Sequence, residues 1–97
     1  MTTPREKQEL ILIWRGINIQ ITYTPQYFEN IAHLEIQSEK NKRLPMTETG
    51  YRSHFTQAAD IEVYGSPIEF VQAWLEDRAN TKEWKKYEAD RKQLKLF

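Results

Sequence analysis

Leu10-Ile11-Leu12-Ile13-Trp14-Arg15-Gly16-Ile17-Asn18-Ile19-Gln20-Ile21-Thr22-Tyr23 sets the architecture of this chain. Its first five residues form an unbroken apolar, β-favouring run. Arg15-Gly16 punctuates the run, and Ile17, Ile19, Ile21 and Tyr23 then alternate with Asn18, Gln20 and Thr22. A period of two puts alternate side chains on opposite faces of a strand, so the pattern predicts a β-hairpin with one buried face. Gly16 suits the tight turn because it takes positive φ without a Cβ penalty. A single continuous strand bulged at this point is the alternative. Further on, Pro25 is expected to end the second strand, with a loop from Gln26 to Asn30. Ile31, His33 and Glu35 then alternate with Ala32, Leu34 and Ile36, which predicts a third strand with Leu34 and Ile36 on one face and His33 on the other. After a polar tip carrying Lys40, Lys42 and Arg43, the segment from Met46 to Phe55 returns as a short edge strand ending in Tyr51, Ser53 and Phe55.

The period changes at Ser66-Pro67-Ile68-Glu69. Serine at the N-cap, proline at the first helical position and glutamate at the third form a capping box that starts a helix. Ile68, Phe70, Val71, Trp74 and Leu75 give that helix a broad apolar face, while Glu69, Glu76 and Asp77 face water. Asn80 ends it. Thr81 caps a second helix, in which only Trp84 and Tyr87 are placed to pack back. The expected fold is therefore α+β: a small antiparallel sheet of about three to four strands followed by two C-terminal helices. Residues 1–9 read as a flexible arm, 10–92 as the single α+β domain and 93–97 as a C-terminal binding tail.

Composition narrows the function. Ninety-seven residues hold one small core and exclude a two-domain enzyme. Lys plus Arg and Asp plus Glu are 14 each, so the formal net charge is zero and no whole-molecule field draws the chain to nucleic acid or membrane. Charge is uneven along the chain: Asp60, Glu62, Glu69, Glu76 and Asp77 stand against Arg78, whereas bases outnumber acids from Thr81 onward. With no cysteine, disulfides, thiol catalysis and the common structural zinc sites are out. His33 and His54 alone make no metal site, and no cofactor is expected. No eighteen apolar residues run together, and Met1 to Glu9 is polar and charged, unlike a secretory leader, so the expected compartment is the cytoplasm.

Gln93-Leu94-Lys95-Leu96-Phe97 closes the chain and resembles the bacterial sliding-clamp (DNA polymerase III beta subunit) binding motif, whose common form is glutamine, leucine, a small or acidic residue, leucine, phenylalanine. The resemblance implies that Gln93 hydrogen-bonds at the edge of the clamp's cleft, Leu94 sits near its rim and Leu96 and Phe97 fill its apolar pocket. Lys95 departs from the usual serine or aspartate. Burying two large apolar side chains in a partner contributes roughly 1.5 to 3 kcal/mol each. The competing reading docks Leu94 and Phe97 on the protein's own core, continuing the Trp84 and Tyr87 stripe. Trp14-Arg15-Gly16, His33-Leu34-Glu35-Ile36 and Leu44 to Phe55, with the Leu-Phe terminus, also resemble a group of short proteins, without assigned function, from accessory and mobile regions of proteobacterial genomes. That likeness implies binding to a host machine rather than an activity.

Leu44 to Phe55 is the densest cluster of chemically capable side chains. Ser53 and His54, being adjacent on a strand, point to opposite faces and cannot act as nucleophile and base; His33 would have to serve. Arg52 and His54 share a face suited to a carboxylate or phosphate, with Tyr51 and Phe55 behind as packing or stacking surfaces. The plainer reading makes Tyr51 and Phe55 core and pairs Arg52 with Glu48 or Glu35. Tyr51, Arg52 and His54 are thus the expected partner surface. The leading expectation is a non-enzymatic adaptor or modulator on the sliding clamp, linked to replication or repair. The alternatives are an inhibitor of a host defence complex of the anti-restriction or anti-CRISPR type using the 44–55 surface, and a small nucleic-acid-binding protein using Arg15, Lys40, Lys42, Arg43 and Arg52.

Overall fold

A computed structural model describes residues 7–94, with side chains as far as Arg91. Four strands, β1 (Gln8–Trp14), β2 (Ile17–Phe28), β3 (Ile31–Ser38) and β4 (Tyr51–Gln57), form one antiparallel sheet in the order of the chain. Three helices follow: α1 (Ala58–Glu62), α2 (Pro67–Ala79) and α3 (Lys82–Leu94). The α+β reading and the antiparallel sheet hold, and the one-turn α1 adds a helix ahead of the two expected ones.

The hairpin forms as the sequence predicts. Arg15 and Gly16 both have positive φ, 49° and 82°, which is the type I′ two-residue turn whose twist matches the flanking strands, and Trp14 pairs directly with Ile17. β1 starts at Gln8, so Gln8 and Glu9, read as part of the arm, are paired with Tyr23 and Thr22. Pro25 does not end β2. A bulge between Thr24 and Phe28 absorbs it where a missing N–H costs no ladder bond, and β2 continues to a two-residue turn at Glu29-Asn30.

One face of the sheet is covered. Leu12, Trp14, Ile17, Ile19, Ile21, Tyr23, Ala32, Leu34 and Ile36 are buried there against Ile61, Val71, Leu75, Ala79 and Trp84 of the helices, with Leu44 and Met46 closing one end. α2 has the expected cap: Ser66 Oγ accepts from the Glu69 N–H at 3.2 Å, and Pro67 occupies the first turn. The Thr81 hydroxyl likewise accepts from the Trp84 N–H at 3.3 Å. α3 is held by its aromatic residues. Trp84 packs on Trp14 with ring centroids 5.9 Å apart, Tyr87 packs on Trp84, and Arg43 lies over Tyr87. Arg15 ties the hairpin turn to Glu88 of α3 at 2.8 Å and to Glu76 of α2 at 3.5 Å.

Candidate functional site

Strand β4 is the place where chemistry collects, and its alternation sorts the expected site residues onto two faces. Arg52, His54 and Thr56 lie on the helix-bearing face, and Tyr51, Ser53, Phe55 and Gln57 on the open one. The structure therefore joins Arg52 to His54 and separates both from Tyr51. Neither Tyr51 nor Phe55 is core: they are 44% and 53% exposed. Arg52 pairs with neither Glu48 nor Glu35. It donates to the Met46 carbonyl at 3.3 Å and lies over the Trp74 ring, while Glu48 faces Arg43 and Glu35 accepts from the Tyr51 hydroxyl at 3.0 Å.

On the open face, the β2 bulge turns Tyr27 toward β3 and β4. Tyr27, His33 and Phe55 form one aromatic cluster, with His33 stacked on Phe55 at a centroid distance of 4.3 Å. His33 Nε2 lies 2.7 Å from Ser53 Oγ, so the histidine that faces this serine is indeed the distant one. Among the described residues no carboxylate is hydrogen-bonded to His33, and the pair lies open to water; its geometry fixes two side chains on a surface. The hydrogen bond from Tyr51 to Glu35 holds the phenol above its usual pKa, because the carboxylate stabilises the protonated hydroxyl.

On the other face, β4 and α2 enclose a groove of about 520 Å³ lined by His54, Tyr64, Phe70, Ala73, Trp74 and Asp77. Its walls are rings: His54 lies 4.7 Å from Trp74, Phe70 6.2 Å from Trp74 and Tyr64 5.3 Å from Phe70, centroid to centroid. Burial among them pulls the His54 pKa below its usual value, and the neighbouring Arg52 adds to the shift, so the imidazole is neutral near pH 7. Sequence reading assigned Phe70 and Trp74 to the helix's core face and gave Tyr64 no role.

The edge of β4 beside this groove is open. Ser38 N–H donates to the Gly50 carbonyl and Ala58 N–H to that of Asn30, so residues 50, 52, 54, 56 and 58 direct their backbone groups at β3. Residues 51, 53, 55 and 57 consequently point outward. The Tyr51 backbone is taken up by the Thr47 and Thr49 hydroxyls. Ser53 and Phe55 are left with N–H and C=O groups that meet no partner among the described residues, and Gln57 adds its outward N–H, while its C=O opens the first turn of α1.

Of the basic residues of the nucleic-acid reading, Lys40 and Lys42 are exposed at the tip after β3, and the three arginines are engaged within the domain. Arg15 is bound to Glu88 and Glu76, Arg43 lies over Tyr87 and near Glu48, and Arg52 is engaged as above. Leu96, Phe97 and the side chains of Gln93 and Leu94 lie outside the described residues; the backbone of Gln93 and Leu94 forms the end of α3. Among the described residues no group of three or more His, Cys, Asp or Glu could hold a metal ion, and no helix is long and apolar enough to cross a membrane.

These features define a small α+β domain with a sheet covered on one side and open on the other. The family model of the KlcB third domain matches residues 7–84, and the chain belongs to that family. The match takes in the whole sheet, both walls of the groove and Trp84, and leaves the C-terminal pentapeptide outside. Comparison with curated proteins and with solved structures gives no match.

Proposed function

We propose that this domain is a non-enzymatic binding module that takes an extended segment of another protein along β4. The observation that supports this reading is the juxtaposition of an open strand edge with an aromatic groove. An added strand gains main-chain hydrogen bonds from Ser53, Phe55 and Gln57, and every second side chain falls toward the groove of His54, Tyr64, Phe70 and Trp74. Main-chain pairing supplies affinity and the ringed groove selects the side chain. The open-face cluster of Tyr27, His33 and Phe55 receives the alternate set. Net charge of zero and acids such as Glu35 on that face favour a protein strand over a nucleic-acid strand.

Two substitutions test this. Gln57 has φ of −69° and an outward N–H, so Gln57→Pro removes one docking donor and leaves the ladder to β3 intact. Tyr64→Ala removes an exposed wall of the groove. Peptides selected from a display library on the wild-type protein should bind both variants at least fivefold more weakly, with circular dichroism unchanged. Undiminished binding to both would overturn the proposal.

A second reading concerns the tail. Four of five positions in Gln93 to Phe97 fit the sliding-clamp motif, which supports an adaptor fastened to the clamp at one end and to a second protein at β4. An extended cleft peptide would require the last turn of α3 to open, since Gln93 and Leu94 are helical. An inhibitor of a host defence complex would use the same β4 surface.

A further inference from the structure

The opposite edge of the sheet carries its own contact surface. The hydrogen-bond parity that leaves Ser53 and Phe55 outward on β4 propagates through β3 and β2. Residues 8, 10, 12 and 14 of β1 face β2, and Glu9, Ile11 and Ile13 face away from the sheet. Among the described residues their backbone groups meet no partner. Ile11 and Ile13 are 61% and 68% exposed on the open face. From Leu10 to Trp14 the edge holds no charge, no proline and no glycine, the devices by which edge strands repel their own kind.

We infer that β1 pairs with β1 of a second copy, antiparallel about a two-fold axis near Leu12, to give a continuous eight-stranded sheet. This register sets Ile11 of each copy opposite Ile13 of the other, so two cross-strand isoleucine pairs close over the seam and four main-chain hydrogen bonds form beneath them. Formal neutrality of the whole chain removes long-range repulsion between copies. A second copy is the occupant because at this one register the uncharged edge complements itself, outward main-chain groups meeting outward main-chain groups and each exposed isoleucine meeting another. The β4 edges stay open at the two ends of the extended sheet, so association leaves the proposed partner site available.

A contact this small associates weakly, on the order of 100 μM, well below the area of a permanent dimer. Sedimentation equilibrium of the full chain from micromolar to millimolar concentration should show a reversible monomer–dimer equilibrium. Ile11→Lys with Ile13→Lys puts lysines opposite lysines and should leave a folded monomer throughout the range. Because the chain has no cysteine, the register can be read covalently. A mixture of Ile11→Cys and Ile13→Cys chains should form the mixed disulfide faster than either forms its own, and far faster than Val63→Cys, whose side chain is 82% exposed on another surface. A wild-type monomer at every concentration, dimerisation undiminished by the double lysine variant, or mixed-disulfide formation no faster than that of Val63→Cys would each overturn the proposal.

Discussion

His54 lies against Trp74 with ring centroids 4.7 Å apart, so edge strand β4 and helix α2 meet through two rings. Contact at one level of the pair leaves the groove beside it lined by Phe70 and Tyr64. The binding surface is thus a consequence of how the helix seats on the sheet, and its properties can be tested through the residues that seat it.

Acid should loosen this seat. Burial, with Arg52 nearby, sets the folded His54 pKa below the ordinary imidazole value of 6.5. The unfolded chain therefore binds the proton first. Stability from the neutral ring is fully present above pH 6.5 and is lost as pH falls from there through the lowered folded value. His54→Gln should flatten the fall in Tm between pH 7.5 and 5 relative to wild type. Identical slopes would contradict the assignment of this titration to His54.

Gly50 has φ of 84°, and a Cβ there would strike Ser38 Oγ and the backbone of Asn41 and Lys42. Gly50→Ala should cost about 2 kcal/mol or more, a fall in Tm of roughly 10 °C. Gly16, also at positive φ, has nothing within 4 Å of such a Cβ, and Gly16→Asn suits its type I′ turn. Thermal melts of the two variants should differ accordingly.

The Trp14 indole N–H donates to Glu76 at 2.7 Å, joining the first hairpin to α2, and Trp14 is buried. Glu76→Ala strands that donor and should cost about 1 to 3 kcal/mol, whereas Glu76→Gln keeps an acceptor and should cost under about 1 kcal/mol. Urea unfolding followed by tryptophan fluorescence separates the two.

For the clamp reading, replacing Leu96 and Phe97 with alanine should abolish binding to purified sliding clamp, since two anchors are all that such a short contact holds. Lys95→Ser should preserve it. No heat on titrating the folded wild-type protein at tens of micromolar would remove the clamp as a partner.

Alternation is a local signal, and it was enough to find β3 and the buried face of Ile17, Ile19, Ile21 and Tyr23, while an unbroken apolar run marked β1 from Leu10 onward. The capping box at Ser66 was equally local. Pro25 misled because its tolerance depends on a bulge that falls between the Thr24–His33 and Phe28–Ile31 pairs, a cross-strand fact. α1 is too short to show a period, and only Ile61 of its five residues is buried. Parity put Arg52 with His54, but the expected partner surface also took in Tyr51, which lies on the opposite face of the sheet. The groove was hidden because Tyr64, Phe70 and Trp74 reach His54 only once α2 lies across the sheet, and the open edge requires knowing strand order and register.

The most direct test of docking along β4 is amide NMR of the 15N-labelled protein with a display-selected peptide. On titration the Ser53, Phe55 and Gln57 amides should gain protection from exchange, and the Trp74 indole N–H should shift with the same affinity. Arg52, His54 and Thr56, already bonded to β3, should be protected before peptide is added. Peptide binding that leaves Ser53, Phe55 and Gln57 exchanging freely, with its shifts elsewhere on the domain, would contradict the account.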